Sequence, residues 1–317
     1  MPFTKLFTGA AHRALGVVTG VGLAAALLGA PFQARAEAPV AAPPPAAAVA
    51  ASNPALWVIR DADSTIYLFG SVHVLRPTAT WRTPAVEAAL AASDELWLEV
   101  ANIDDTAAAT PLIQQYGLSP QAPLSSLLTP EENAQLDEAA RSVGATGAAF
   151  EPMRPWLAGL TLSVAPLLKA GYDPEAGVEK QLMAAARAAG KPIRGFETLE
   201  QHLRLFADMS RDQELAFLRS TLKGYRDATA QLDGLAAAWQ VGDFEAIDRL
   251  GVQVVKAEDE NLYRVLLSGR NEDWAGQIQT LLAGSGTTFI AVGSAHLAGE
   301  DSVQAYLERR GIHAERQ

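Results

Sequence analysis

Two of the five histidines in this chain stand in the same four-residue setting. The first is Gly70-Ser71-Val72-His73 and the second is Gly293-Ser294-Ala295-His296. Neutral imidazole nitrogens bind divalent transition metals and also transfer protons. The repeated setting therefore predicts one shared site in which His73 and His296 are metal ligands. In the alternative, structural interpretation, both rings only hydrogen-bond to backbone at strand ends.

Carboxylates are the expected partners of this histidine pair, because the chain has no cysteine. Glu99 is the strongest candidate, since it ends an apolar run at 95–100 where a buried carboxylate is costly without a cation or hydrogen bonds. We expect it to be a metal ligand or a catalytic group. It would otherwise form an ion pair with a buried arginine such as Arg154 or Arg194.

A second group of polar residues could join the same site. Glu197 directly follows an extended segment, and a glutamate beside a metal with an open coordination position can act as a general base. Arg270 and Asn271 precede Trp274, and we expect them to stabilise an oxyanion or to orient a carboxylate. The structural alternatives are a helix start for Glu197 and a salt-bridged cap for the Arg–Asn pair. His202 lies in a helical, solvated pattern and is interpreted as a bystander.

Strands at both ends of the chain must position these residues. The apolar runs 56–59 and 65–69 predict a hairpin, and the runs 95–100, 191–196 and 287–292 predict further strands. A strand that ends in Gly-Ser can turn sharply and leave a histidine at the rim of a sheet. If the two histidine-bearing strands are neighbours, both imidazoles reach one edge, where open α/β sheets bind ligands.

Between these strands the sequence is almost entirely helical in pattern. Thr83 caps a predicted helix that begins with Pro84, and Asp173-Pro174 begins another that Gly190 ends. Further helices are predicted at 198–208, 211–223, 226–241, 243–267, 270–283 and 299–310. The expected fold is α/β (α+β), with a split central sheet formed from the N- and C-terminal segments and a helical cap over about 106–285.

The N-terminus predicts export. Residues 1–36 combine basic residues, an apolar stretch and the Ala34-Arg35-Ala36 cleavage pattern of a signal peptide. Residues 37–52 are rich in Ala and Pro and predict an extended linker, so the folded domain is expected at 53–317. We expect a periplasmic or secreted protein with no stable membrane span after cleavage.

The net charge argues against two classes of partner. The formal net charge is −11, and removal of the signal, which carries basic but no acidic residues, makes it more negative. An acidic surface argues against nucleic acid and against anionic membranes. A peptide or a small molecule is the expected substrate, and the oligomeric state stays open.

Several blocks of the chain resemble the TraB/GumN family, in order and over nearly the whole mature sequence. They are Leu56-Trp57 through His73, Leu98-Glu99, Gly195 through Gln201, Arg270-Asn271-x-x-Trp274, and Val292 through Leu297. This family is similar to the Tiki proteins, described as membrane-tethered metal-dependent proteases, and is considered related to the erythromycin esterase and ChaN haem-binding groups. Gly177-Val178-Glu179 stands where the family often has Gly-x-Asp, which leaves the role of Glu179 open.

The resemblance implies a core of His73, Glu99 and His296, with Glu197, Arg270 and Asn271 close by. The leading hypothesis is a metal-dependent hydrolase, of the peptidase kind, that uses a divalent metal such as Mn, Co or Zn. Two alternatives stay open. One is a non-catalytic module that binds haem or a small peptide, and the other is an accessory factor in polysaccharide export.

Overall fold

The computed structural model describes residues 53–317, and the predicted signal peptide and linker lie outside them. Within these residues the strands are β1 (Leu56–Arg60), β2 (Ser64–Ser71), β3 (Glu95–Val100), β4 (Ile193–Glu197), β5 (Gly286–Gly293) and β6 (Glu315–Arg316). They form one mixed sheet in the order β4-β3-β5-β2-β1-β6. The α/β prediction, with a central sheet shared by both ends of the chain, is confirmed.

Strand direction brings the predicted site residues to one edge. β2 and β3 each pair in parallel with β5, and β4 pairs in parallel with β3. The carboxyl ends of these four strands therefore lie along the same edge. β1 runs antiparallel to β2, which confirms the predicted hairpin. In its turn, the Ser64 amide donates to the Asp61 carboxylate at 2.8 Å.

Most of the helices that the structure describes lie in the middle of the chain, between β3 and β5. They are α1 (Pro84–Ala92), α2 (Thr106–Gly117), α3 (Pro130–Ser142), α4 (Pro155–Lys169), α5 (Val178–Ala188), α6 (Leu199–Ala207), α7 (Arg211–Gly224), α8 (Ala228–Gln240), α9 (Phe244–Ile247), α10 (Gln253–Glu258), α11 (Glu260–Tyr263), α12 (Gly269–Leu282) and α13 (Val303–Glu308). As predicted, the Thr83 hydroxyl caps α1 by accepting from the Val86 amide. No helix within residues 53–317 is both long and apolar enough to cross a membrane.

Both faces of the sheet are covered, because side chains alternate along each strand. Phe289 of β5 packs in the cluster that also includes side chains of α1 and α5. Its neighbour Ile290 points to the other face and packs in a cluster with Trp274 of α12. Helices α2, α3, α4, α6 and α7 build a separate core around the fully buried Trp156. This second core forms the roof over the carboxyl edge of the sheet.

The predicted continuous helix at 243–267 is wrong. The segment is divided into α9, α10 and α11, with π-helical turns at Asp248–Val252 and Arg264–Ser268. The chain becomes extended at Asp259, whose carboxylate accepts from the amides of Asn261 and Leu262 and so begins a new helix. The capping aspartate separates two helices, although the apolar period by itself predicts a single one.

The helix predicted to begin at Asp173-Pro174 also starts later. Pro174–Ala176 form a short 3₁₀ turn, and α5 begins at Val178 after Gly177. The Val178 amide donates to the Val72 carbonyl at 3.0 Å. Because the backbone at Gly177 lies directly against His73, α5 is anchored to the end of β2 rather than to the preceding turn.

Candidate functional site

The two histidine phrases lie side by side at the carboxyl edge of the sheet. β2 and β5 pair in register, with Gly70 opposite Val292 and Ser71 opposite Gly293. His73 follows the end of β2, and His296 lies in the 3₁₀ turn Ser294–Leu297 that follows β5. The repeated sequence setting therefore corresponds to a repeated position in the fold.

Gly293 marks the point where three predicted residues meet. A Cβ atom placed on this glycine would lie 3.1 Å from Glu99 Oε1, 3.5 Å from His296 Cδ2 and 3.7 Å from His73 Nε2. The Gly293 amide also donates to Glu99 Oε1 at 2.8 Å. The absence of a side chain at this position lets the carboxylate and both imidazoles approach the same piece of backbone.

His296 is held in one tautomer by Asn271. The Asn271 amide nitrogen donates to the Asp301 carbonyl at 2.7 Å, which turns its oxygen toward His296 Nδ1 at 2.6 Å. Nδ1 therefore carries the proton, and Nε2 keeps its lone pair. Burial, together with the nearby Arg270 cation, lowers the pKa of His296 to about 3 against the opposing effect of Glu99. This imidazole is neutral at physiological pH.

His73 is held by Glu179. Its Nδ1 lies 2.7 Å from Glu179 Oε1, and the same oxygen accepts from the Ser71 hydroxyl. Burial by itself lowers the pKa of His73, but the Glu179 carboxylate and its hydrogen bond, with Glu99, raise it to about 9. The His73 side chain is nonetheless 47% exposed, and the residue lines a cavity. In the absence of other cations His73 is thus an imidazolium at neutral pH.

Glu99 pairs with neither of the arginines proposed as its structural partners. Arg154 pairs with Glu214 at 2.7 Å and Arg194 with Glu95 at 3.3 Å. Glu99 Oε2 instead accepts from Arg270 Nη2 at 2.6 Å. Burial raises the pKa of this carboxyl group, but the Arg270 cation and the nearby histidines hold it well below its usual range. Glu99 is therefore a buried, ionised carboxylate.

The Arg270 guanidinium contacts carboxylate, carbonyl, imidazole and aromatic partners. Its Nε donates to Glu197 Oε1 at 2.6 Å, and its Nη1 donates to the Leu266 carbonyl at 3.1 Å and lies 3.1 Å from His296 Nε2. Its guanidinium stacks over the Trp274 ring at 4.5 Å. Arg270 thus joins Glu99 and Glu197, and its geometry is that of a carboxylate-orienting group rather than of a free cation.

His202 was interpreted as a bystander, yet it lies in the site. Its Nδ1 is 3.2 Å from Glu197 Oε2 and 3.4 Å from Arg270 Nη2, and the residue lines the cavity. Burial raises the pKa of Glu197, but its bonds to His202 and Arg270 bring the pKa below its ordinary value. Sequence did contain a signal for His202, since it follows Glu197 by five positions in the first turn of a helix that begins at the sheet edge.

Glu179 is the second residue whose role the sequence left open. Glu179 supplies a carboxylate, and the close start of α5 brings it to His73. The structure therefore brings all six predicted residues together and adds Glu179 and His202 to them. Each of the three histidines has a carboxylate or amide oxygen at its Nδ1.

Comparison with known proteins gives the family. The model of the TraB/PrgY/gumN family matches residues 55–316. The chain belongs to this family. A protein of Treponema pallidum (strain Nichols) described as uncharacterized is 21% identical over 269 residues, which cover 81% of this chain and 80% of that protein. No solved structure matches the chain.

A second relative covers less of this TraB/PrgY/gumN domain. The uncharacterized protein YbaP of Escherichia coli (strain K12) is 24% identical over 184 residues, which cover 58% of this chain and 67% of that protein. The family model carries the family assignment, and both relatives are described as uncharacterized.

The family resemblance implies a metal, and the donor set fits one in type and orientation. His73 and His296 each have Nδ1 engaged by an oxygen, the arrangement by which metal-ligating histidines are usually oriented. Nε2 of His296 lies 3.1 Å from Arg270 Nη1, so a cation at this nitrogen would have to displace the guanidinium. Glu99 Oε1 lies 3.8 Å from His296 Nε2. In residues 53–317, however, no three or more His, Asp or Glu side chains already stand at ligand spacing. The metal stays a prediction.

Above these polar groups lies a cavity of about 550 Å³. A volume of this size is typical of sites for small organic ligands. Six of the polar residues just described line it, together with Lys180 of α5, and apolar residues of helices α4, α6 and α8 line much of the remainder. The six are His73, Glu99, Glu179, His202, Arg270 and His296. The site therefore combines buried acid–base groups with an adjoining space large enough for a substrate.

Proposed function

We propose that this TraB/PrgY/gumN family protein is a metal-dependent hydrolase that cleaves an acyl bond, of a peptide or of a small ester, in the periplasm or outside the cell. The location follows the signal-peptide pattern of residues 1–36 and the lack of cysteine. The catalytic proposal rests on the convergence of His73, Glu99 and His296 around Gly293 at one end of the cavity.

His73 Nε2, His296 Nε2 and Glu99 are the groups that would hold the divalent cation. Two imidazoles and one carboxylate suit Zn, Mn or Co. When bound, such a cation supplies a Lewis acid that polarises a carbonyl and acidifies water. Binding requires His73 to release its proton, and so the Glu179 carboxylate that now stabilises the imidazolium would instead fix the ring with Nδ1 as donor.

The other polar residues divide into orienting and proton-transferring roles. Arg270 keeps Glu99 and Glu197 ionised and fixed, and Asn271 keeps the proton of His296 on Nδ1, so that a cation at Nε2 would replace the contact with Arg270 Nη1. His202 has its Nδ1 directed at Glu197, and therefore its Nε2 is the nitrogen available to a water or leaving group in the cavity. We assign His202 the role of general acid–base and Glu197 the role of its orienting partner.

Metal content is the decisive test. Purified protein loaded with Zn²⁺, Mn²⁺ or Co²⁺ and desalted is expected to retain about one equivalent, and the double variant His73→Ala, His296→Ala is expected to retain none. His313→Ala is the matched control, because His313 is exposed and pairs with Glu308 rather than with a residue of the site. Equal metal in the double variant and the wild type contradicts the metal assignment.

Hydrolysis is tested separately with libraries of fluorogenic peptides and esters. Loss of turnover in His202→Gln, with metal content unchanged, is the result expected for a general acid–base. Turnover that is unchanged in this variant removes that role from His202, whatever the outcome for the metal.

A binding protein for haem is a second candidate, favoured by one observation. His73 is 47% exposed toward a largely apolar cavity and has its Nδ1 bound to a carboxylate, an environment suited to an axial ligand. Titration with haem is expected to produce a shifted Soret band that His73→Ala abolishes. No spectral change, or a change that persists in this variant, rejects the candidate.

A further inference from the structure

The two ends of the cavity have different chemistry. Its polar side chains gather at the sheet edge, whereas the walls under the helical roof are apolar. The wall residues include Val164 and Leu167 of α4, Phe206 of α6, and Leu232 and Leu235 of α8. A ligand that fills this space must therefore have an apolar body and a polar group at one end.

The walls offer little to a peptide backbone. Their helical backbone groups are already hydrogen-bonded within the helices, and the Ser163 hydroxyl on this surface donates to the Leu160 carbonyl at 2.8 Å. A peptide that extended into the cavity would bury amide groups without partners, which costs free energy for each group. A hydrocarbon chain has no such groups and gains from burial.

The position of the polar end fixes the orientation of such a chain. Glu99, His73, His202 and His296 all line the cavity at the carboxyl edge of the sheet. A carbonyl group at this end would lie beside the proposed acid–base and ligand residues, while the chain attached to it lay between α4, α6 and α8. Beside Val164 and Leu167 the lining includes Ser163, whose hydroxyl is already used by the Leu160 carbonyl.

We propose that the cavity binds the unbranched acyl chain of a monoacyl ester or amide, with the acyl carbonyl at the polar end. Only the cleavage of this ligand rests on the proposed function, because binding of the chain needs the walls alone. In the cleavage step the C–O or C–N bond at the carbonyl carbon breaks, the oxygen of water bonds to that carbon, and a carboxylic acid and an alcohol or amine leave.

Binding is measured by displacement of a fluorescent C18 fatty acid, cis-parinaric acid, with monoacylglycerols of 8 to 16 carbons. Full burial of each added methylene is expected to strengthen displacement about fourfold, the equivalent of ~0.8 kcal/mol, until the cavity is filled. Leu235→Trp and Leu232→Trp fill the cavity and are expected to weaken binding of the longest chains at least tenfold. Val254→Trp is the control, since Val254 is 47% exposed and lies outside the cavity lining.

The titrations use protein treated with a chelator, and they are repeated on the variant that lacks His73 and His296. Chain-length dependence that survives in both samples supports the acyl site even if no metal or hydrolysis is found. Affinity that does not depend on chain length overturns the acyl site while leaving the metal assay unaffected. Equal displacement by a capped tri-leucine peptide, or equal weakening in Val254→Trp and both wall variants, overturns it as well.

Discussion

Arg270 supplies the positive charge that allows two buried carboxylates to stay ionised at one edge of the sheet. Its guanidinium donates to Glu99 and Glu197, and its side chain is only 9% exposed. Two carboxylates this close would repel each other without a shared cation. The pKa of both is held below its ordinary value, with Arg270 as a principal cause.

Replacement of Arg270 should therefore destabilise the fold as well as the site. We expect Arg270→Gln to lower the free energy of unfolding by about 3 kcal/mol, because it leaves two buried carboxylates without their cation. Arg270→Lys should lower the free energy of unfolding by a smaller amount, since an ammonium group keeps the positive charge but lacks the planar set of donors with which the guanidinium binds both carboxylates. Urea denaturation measures both. The exposed pair Arg226–Glu138 gives the control Arg226→Gln, for which the expected loss is far smaller.

His296 provides a prediction that needs no assumption about a metal. Nitrogen NMR of the imidazole should show the neutral tautomer with the proton on Nδ1, and it should show no titration between pH 5 and 8. Asn271→Ala removes the acceptor and should mix the two tautomers, at a cost of about 1–2 kcal/mol in stability. An imidazole that titrates near pH 6.5 in the wild type contradicts this picture.

At the scale of elements, the junction between β2 and α5 does most to complete the site. α5 begins so close to β2 that a Cβ atom on Gly177 would lie only 2.2 Å from the His73 carbonyl oxygen. This contact brings Glu179, in the first turn of α5, to His73. The position requires glycine because there is no room for a side chain, although its φ of −57° is ordinary.

Gly177→Ala should accordingly push α5 away from the strand end. We expect a loss of about 1–3 kcal/mol in stability, from the strain of overpacking, and a weaker affinity for any ligand that uses His73. Gly224→Ala is the matched control, because nothing lies within 4 Å of a Cβ atom at that position. The same unfolding midpoint for both variants would show that the junction tolerates a side chain.

The sequence predicted the strands of the sheet better than the helices between residues 106 and 285. Strands β2, β3 and β5 follow apolar runs bounded by turn residues, and their pairing follows from the two histidine phrases. The segment 243–267 was predicted less well, since the capping carboxylate of Asp259 and two π-helical turns interrupt a continuous apolar period. Local capping competes with periodicity there, and only tertiary contacts decide between them.

The two histidines should give the whole molecule a stability maximum between acidic and alkaline pH. His296 has a pKa of about 3 in the folded state against about 6.5 when unfolded, so below pH 6.5 the unfolded chain gains a proton that the folded chain does not, and stability falls. His73 has a folded pKa of about 9, so its contribution is complete below pH 6.5 and is lost as the pH rises toward 9. Glu99 and Glu197 add to the acidic side, because their lowered pKa values make protonation destabilising.

Thermal unfolding of chelator-treated protein from pH 4 to 10 measures this dependence. His73→Gln should remove most of the alkaline decline and leave the acidic one, whereas His296→Gln should reduce the acidic decline alone. A wild-type profile that is flat from pH 6.5 to 9 would contradict the folded pKa of His73. Identical profiles for the two variants would contradict the assignment of one histidine to each side.

The sequence by itself determined five of the six strands in residues 53–317, the two histidine positions and the carboxylate at Glu99, because strand patterning, turn residues and a charged residue in an apolar run are local signals. The two-residue strand β6 was not predicted. Only the tertiary structure decided which charges meet. Arg270 reaches Glu99 across 171 positions and Glu197 across 73, and the path of the helices between them sets those distances. Glu179 joined the site for the same reason, since the contact between its helix start and the end of β2 is not a local pattern. His202 is close to Glu197 along the chain, and the contact of both with Arg270 brings them into the site.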